Sequence, residues 1–205
     1  MKNALVIGGG SSTGKTIVDY LIENNFSVIN IGSNAHPLAD NICTDWKNLD
    51  IGFIHKNCSR FTHPIDFVFF NHNSSSLCEN DFCVESKSTL ETWKLIKDWD
   101  HSNWLSCQMP FLLLHTIKKN LHKDTKIGWM LSNYIKYDKK GNTDYPDYSS
   151  FKYFNYLQMK CFGTMNNFKT FGIYPNLEVK NSDEILRGII SQVLCSDKIN
   201  DEYYF

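Results

Sequence analysis

Apolar residues along the chain fall into short runs that stop at glycine or polar positions, with amphipathic stretches between them. Asn3 to Ile7 (NALVI) stops at Gly8, the pattern of a buried strand feeding a turn. Thr16 to Asn24 (TIVDYLIEN) then puts Ile17, Val18, Leu21 and Ile22 on one helical face, and Ser27 to Ile31 (SVINI) is β-rich and stops at Gly32. Strand, turn, helix and strand make a β-α-β unit, whose parallel strands require the crossover helix. Asn41 to Thr44 is a weaker strand, whereas Ile65 to Phe70 (IDFVFF) is apolar on both faces, as an inner parallel strand should be. Trp99 to Asn120 reads as a long, mostly buried helix, with Ile117 and Leu121 continuing its apolar face. Lys126 to Leu131 (KIGWML) is a further strand, Tyr148 to Phe162 an aromatic-rich helix and Gly172 to Tyr174 a short strand. Ser182 to Leu194 is a helix with Ser182 as N-cap and Glu184 in its first turn. This alternation predicts an α/β fold with a doubly wound parallel sheet. The polar stretches 74–88 and 136–147 are expected to be irregular.

Composition narrows the picture. A chain of 205 residues with 42% hydrophobic content builds one substantial core and is short for two domains, so a single domain over 1–205 is expected. Twenty-one basic and 22 acidic residues give a net charge of -1 without long runs of either sign, which argues against a nucleic-acid partner. The start MKNALVIGGG is too short in apolar residues for a signal-peptide core, and no stretch approaches a membrane span, so a cytoplasmic protein without a membrane partner is expected. Seven cysteines, an odd number without a C-x-x-C pair, are expected to be free thiols, mostly in the core. Seven histidines without H-E-x-x-H spacing suggest no metal site.

The candidate chemistry begins at GGGSSTGKT, Gly8 to Thr16. From Gly9 it matches the G-x-x-x-x-G-K-[ST] loop that holds nucleoside triphosphates; from Gly8 it resembles a dinucleotide turn with one glycine replaced. A triphosphate loop also needs an acidic residue at another strand end to hold magnesium. The strongest candidate strand ends instead in Asn71 and His72, and only Asp45, after a weak strand, is acidic. In the dinucleotide reading Gly8 makes the turn, Gly14 admits the helix, and Ser12 stands where backbone meets the pyrophosphate, with Gly10, Ser11 and Thr13 in the same loop.

A second signal favours the dinucleotide reading. In YSSFK, Tyr148 and Lys152 are spaced i and i+4, on one helical face, so the ammonium can approach the phenol and a cofactor ribose together. A nearby cation favours the phenolate and moves its proton exchange toward neutral pH, which suits a carbonyl and alcohol pair. Tyr156 and Lys160 repeat the spacing, but mid-helix among bulky residues, where packing with a solvated lysine is the expected outcome.

Together these pieces resemble the short-chain dehydrogenase/reductase family, a Rossmann-fold group of NAD(P)-dependent oxidoreductases. The resemblance runs from Ala4 to about Leu194 in the expected order: VIGGGSSTGKTIVDYL, IDFVFFNHN, WDHSNWLSCQMPFLLL, KIGWMLSN, YSSFK and GIYPN. It implies Tyr148 as general acid/base, Lys152 on the nicotinamide ribose, and Ser132 on the substrate oxygen. Gly8, Ser12 and Gly14 would line the pyrophosphate, Asn71 would stand beside the adenosine ribose with His72 and Asn73 next to it, and Asp45 would approach the adenine. The chain departs from the family at Ser106, which replaces an active-site asparagine, and in the short segment after Pro175, where a substrate lid is reduced or missing. About three extra residues between Ser132 and Tyr148 make Asn133 or Tyr134 alternatives to the serine. At the end of the second strand stands Gly32 rather than an acid, followed by Ser33 and Asn34, so NADP(H) is slightly preferred over NAD(H), with Lys15, Ser33 or Asn34 as phosphate contacts. Family habit implies a homodimer or homotetramer through the helices at 99–120 and 148–162. Trp93, Trp99 and Trp104 are expected in core or subunit packing, and Cys107 as a buried thiol rather than a nucleophile. Two other classes remain: a non-catalytic or redox-sensing NAD(P)-binding protein on this fold, and a triphosphate-dependent phosphotransferase.

Overall fold

The computed structural model describes residues 1–45, 48–58, 61–72, 97, 99–132, 146–175 and 181–204, with the backbone alone at 146–148. Its strands are β1 (Lys2–Ile7), β2 (Phe26–Gly32), β3 (Asp40–Cys43), β4 (Ile65–Phe70), β5 (Leu121–Met130), β6 (Lys169–Tyr174) and β7 (Asp201–Tyr204). They form one sheet in the order β3-β2-β1-β4-β5-β6-β7, every adjacent pair parallel. The helices are α1 (Ser12–Glu23), α2 (Ile51–Cys58), α3 (Met109–Ile117), α4 (Pro146–Asn166) and α5 (Ser182–Cys195).

Side-chain alternation splits the core into two layers. Ala4, Val6, Phe67 and Phe69 pack with Ile17, Val18 and Leu21 of α1 and Leu186, Ile190 and Val193 of α5. Leu5, Ile7, Val68 and Phe70 pack on the other face with Ile54 of α2, Leu113 and Ile117 of α3 and Met159 of α4. The winding reverses between β1 and β4, and an open parallel sheet binds ligands in the crevice outside its carboxyl edge at such a point. This is a Rossmann-like α/β fold, as the periodicity implied.

Several boundaries differ from expectation. α1 starts a turn before Thr16 because Ser11 caps it, its hydroxyl accepting from the Gly14 amide at 3.2 Å. The helix expected over 99–120 is a composite: helical residues lead into a π turn at Trp104–Gln108, then α3, then a 3-10 turn at Lys118–Asn120. Leu121 belongs to β5, whose partly exposed first residues give no apolar signal. α2 and β7 were not expected; α2 buries only Ile54 and Cys58, and β7 is an edge strand without a buried residue. The N-cap of α5 is Asn181 in the left-handed region rather than Ser182. Cys43, Cys161 and Cys195 are exposed rather than core, standing at an edge-strand end, on the outer side of α4 and at the last turn of α5; Cys58 is buried. Asn25, Asn167 and Asn200 adopt positive φ just before β2, β6 and β7, where asparagine tolerates the left-handed conformation. Among the described residues no helix is long and apolar enough to cross a membrane. The stretches 74–88 and 136–145 lie outside the described residues; Pro146 and Asp147 open α4.

Candidate functional site

The glycine turn sits at the winding reversal. Gly8 follows β1 with φ +82, and a Cβ there would lie 2.7 Å from the Asn71 carbonyl oxygen. A Cβ on Gly14 would meet the Gly8 carbonyl oxygen at 2.1 Å, so only glycine lets α1 approach the turn. Ser11 Oγ donates to the Gly8 carbonyl at 3.0 Å. Asn71 Nδ2, at the end of β4, donates to Ser11 Oγ at 2.8 Å and to the Gly8 carbonyl at 3.2 Å. Two neighbouring strand ends and the helix cap thus hold one loop conformation.

A second lock comes from Asn30, fully buried in β2. Its Oδ1 accepts from the Gly9 amide at 2.8 Å, while Nδ2 donates to the Asn34 carbonyl at 2.9 Å and to Asn41 Oδ1 at 2.8 Å. An asparagine inside an otherwise apolar strand was the sequence signal for this role, and the reading of SVINI passed over it. The loop and the β2 end enclose an open cleft of ≈ 400 Å³ lined by Gly8, Gly10, Ser11, Gly32, Ser33, Asn34 and Asn71. No acidic side chain is among those lining residues. The first-turn amides of Ser12 and Thr13 belong to a helix start, where backbone N–H groups lack intrahelical partners and suit an anion. Gly14 lies beneath the turn as a packing position, and Ser12 is exposed at the first turn rather than lining the cleft.

The Lys-Thr pair of the triphosphate pattern does not face this cleft. Lys15 is exposed on the fourth residue of α1, and the Thr16 hydroxyl donates to Asp183 Oδ1 at 2.8 Å, tying α1 to α5. Asp45 is exposed after β3 and is likewise absent from the cleft lining.

The second half of the site gathers around Lys152. Its side chain is buried; Nζ donates to the Met130 carbonyl at 2.8 Å and to the His72 carbonyl at 3.4 Å, joining α4 to the ends of β5 and β4. Burial in this surrounding lowers its pKa to about 7. Ser132, also buried, lies two residues beyond Met130. Tyr148 lies in α4 one turn before Lys152, with its side chain outside the described residues, as are Asn73, Asn133 and Tyr134. The His72 ring is buried and meets Phe70 edge-on, its centroid 6.2 Å away. Neither ring nitrogen has a hydrogen-bond partner among the described residues, and burial, then the Lys152 charge, push its pKa down to about 3.

Ser106 is buried in the π turn, where the Met109 amide bonds back to the Trp104 carbonyl. Pro110 has no N–H to return to the Ser106 carbonyl four residues before it, and the π turn withdraws carbonyls from the regular ladder. Two are taken up by α4: Asn155 Nδ2 donates to the Ser106 carbonyl, and Gln158 Nε2 to the Cys107 carbonyl at 2.6 Å. Asn155 and Gln158 are residues the sequence reading missed; their signal was polar side chains spaced to share the buried side of the helix with Lys152. Cys107 is half-buried, and burial raises its thiol to about 11, against a nucleophilic thiolate. Tyr156 and Lys160 form a structural clip: Lys160 Nζ donates to Glu202 Oε1 at 2.7 Å and lies 5.2 Å from the Tyr156 ring centre, pinning β7 to α4.

No protein-family model matches the chain, and no curated protein matches it in sequence. Solved structures do match over nearly the whole length. Serine dehydrogenase from Escherichia coli shares 14% identity at a TM-score of 0.76, over 98% of this chain and 96% of that one. A short-chain dehydrogenase family protein from Francisella tularensis shares 15% at 0.74, over 99% and 96%. A Burkholderia multivorans protein assigned to the short-chain dehydrogenases/reductases and holding NADP shares 13% at 0.73, over 98% and 95%. With seven parallel strands, the glycine turn at the winding reversal and these neighbours, the chain has the fold of the short-chain dehydrogenases/reductases.

Proposed function

We propose that the protein is an NAD(P)-dependent oxidoreductase acting on a small carbonyl or alcohol substrate, with Tyr148 as general acid/base. The observation that carries this reading is the buried Lys152, held by backbone carbonyls at the ends of two central strands and one helical turn from Tyr148. A dinucleotide fits the cleft on the chain's own geometry: bare backbone at Gly8 and Gly10, the start of α1, and the Asn71 and Asn30 locks that preset both. When bound, the nicotinamide supplies or takes the hydride. Tyr148 then gives a proton to the alkoxide oxygen or takes one from the alcohol, Ser132 donates a hydrogen bond to that oxygen, and Lys152 holds the ribose and favours the Tyr148 phenolate. A lysine whose pKa lies near 7 can hold or pass a proton at neutral pH. With no carboxylate lining the cleft beside Gly32, Ser33 and Asn34, a 2'-phosphate meets no repulsion, which supports NADP(H) ahead of NAD(H).

Fluorescence titration with NADPH, NADH and ATP plus magnesium tests this at its first branch. Saturation by NADPH, more weakly by NADH and not by ATP is expected; magnesium-dependent ATP binding alone would transfer the protein to phosphoryl chemistry. The outward Lys15 and the engaged Thr16 hydroxyl weigh against that outcome. A second reading, cofactor binding without turnover, draws on Ser106, which stands where the resemblance implies an active-site asparagine and whose carbonyl is engaged by Asn155. A panel of aldehydes and ketones separates the two, since this reading predicts binding and no NADPH consumption.

We also propose a homodimer, in the cytoplasm, through α3 and α4. Phe111 of α3 and Tyr153, Phe154 and Leu157 of α4 are exposed, and Phe111 meets Phe162 across the two helices at 6.1 Å, which leaves apolar surface on both elements for a partner copy. Sedimentation should give a dimer, and Leu157→Glu should shift it to monomer by burying a charge without a partner. An unchanged mass for the variant would remove this face from the interface.

A further inference from the structure

At the edge of the sheet opposite the glycine turn, the amino ends of the strands enclose a second open cleft of ≈ 640 Å³, reached by Lys2 of β1, Phe26 of β2, Asp66 of β4, Lys126 of β5 and Lys169 of β6. The end of α5, with Leu194 and Asp197 just beyond, closes its side. His122, Asp124 and Lys126 of β5 all line the cleft, along the stretch where the β4–β5 pairing is irregular.

The charges fall into two groups. Every carboxylate is already engaged. Asp66 accepts from the Asn3 amide at 2.8 Å and lies 3.4 Å from His122 Nε2, while Lys169 bonds both Asp124, at 2.8 Å, and Asp197. The remaining groups are donors. Lys2 Nζ lies 5.5 Å from the Phe26 ring centre. Lys126 is only 9% exposed, yet its ammonium makes no hydrogen bond or close ion pair among the described residues. It also stands in direct register with Lys169 on the neighbouring strand, a like-charge pairing that disfavours folding unless something offsets it. The apolar stem of Lys126 is buried, while the ammonium is not sealed from solvent and opens into the cleft. Asp124 and Asp197 bond to Lys169 and reach Lys126 only through space, where they offset part of the effect of burial and of the Lys169 charge. Among the described residues no acceptor comes within hydrogen-bond distance of the Lys126 ammonium, and the adjoining walls, Phe26 and Leu194, are apolar.

We propose that this basal cleft binds the oxyanion head of a small organic acid, a carboxylate or a phosphate, with Lys126 as its main contact, Lys2 as the second, and the apolar part of the ligand against Phe26 and Leu194. Burial, with Lys169 close by, holds Lys126 below the ordinary lysine range, and an anion at its ammonium would reverse that shift. The site is separate from the glycine turn and stands whether or not the protein uses a dinucleotide.

Amide chemical-shift titration of the full chain with sodium benzoate and, separately, with inorganic phosphate at constant ionic strength tests the proposal. One or both should saturate below roughly 10 mM, with shifts centred on Phe26, Lys126 and Lys169; the arm that saturates identifies the head group. Lys126→Met, which keeps the side chain's apolar length, should weaken binding at least ~10-fold by removing a charge-assisted hydrogen bond. Exposed Lys2→Met should weaken it about threefold, and Lys56→Met, exposed on α2, should leave it unchanged. If the Lys126 variant fails to fold, the Lys2 variant decides. The proposal is overturned if neither anion saturates, if shifts are confined to the glycine turn, or if the deciding variant binds as tightly as the natural chain.

Discussion

Replacing Tyr148 with phenylalanine is expected to lower kcat by roughly 10²–10⁴-fold, the usual worth of a positioned general acid/base, while NADPH affinity stays within about threefold. The separation follows from where the two functions sit. Cofactor contacts are assigned to the glycine turn, the β2 end and Lys152, and the turn is held by Asn71, Ser11 and Asn30 without Tyr148. Phenylalanine keeps the ring and its packing and deletes only the phenolic proton. Single-turnover mixing of NADPH with an active aldehyde reads the chemical step, and quenching of protein fluorescence reads binding. An unchanged rate sinks the proposed acid/base; a rate lost together with affinity would instead make Tyr148 a binding residue.

The second large effect concerns stability. The fall of the Lys152 pKa from 10.5 to about 7 corresponds to about 5 kcal/mol of destabilisation at pH 6, where the folded protein must hold a buried charge that the unfolded chain solvates freely. Lys152→Met removes that cost and leaves the Met130 carbonyl, and the His72 carbonyl held more weakly at 3.4 Å, without their donor, together worth about 1–3 kcal/mol. The variant is therefore expected to be inactive and more stable than the natural apoprotein by about 2–4 kcal/mol at pH 6. The sign with pH follows from proton counts. Between about 7 and 10.5 the unfolded chain retains the Lys152 proton and the folded protein has released it, so this group's contribution to stability rises with pH across that window. Urea denaturation at pH 6 and pH 9 should show the advantage of Lys152→Met shrinking at the higher pH. A variant less stable than the natural protein at pH 6 would mean that the ammonium is well compensated in place. A costly lysine kept at the ends of two central strands is what a functional position looks like.

Parts of this were legible in the sequence because they depend on local pattern. IDFVFF could only be an inner strand, and the structure has it over the same residues, Ile65–Phe70. Apart from α2 and β7, the order of strands and helices followed from periodicity and placed Gly8 after β1 and Asn71 after β4. Other parts were illegible because their causes are tertiary. β7 has no apolar period; it exists because β6 offers a ladder and Glu202 receives Lys160, Tyr174 and Tyr204. α2 buries too little to show a face. The break at the π turn is local, since Pro110 has no N–H for the Ser106 carbonyl, but its relief by Asn155 and Gln158 of α4 is tertiary.

The glycine motif shows the division most clearly. By itself the sequence determined that strand β1 ends in a tight glycine turn, because glycine meets both the φ at position 8 and the close approach at position 14. The motif alone left open whether Lys15 and Thr16 or the bare backbone would face the cleft, since both patterns share the same letters and only YSSFK and the missing acid favoured the backbone. That was decided by contacts distant in sequence: Asp183 draws the Thr16 hydroxyl toward α5, and Asn71 and Asn30 fix Gly8 and Gly9 from β4 and β2. Side-chain partners brought together only by the completed sheet select which face of a local motif points outward, and no local pattern carries that information.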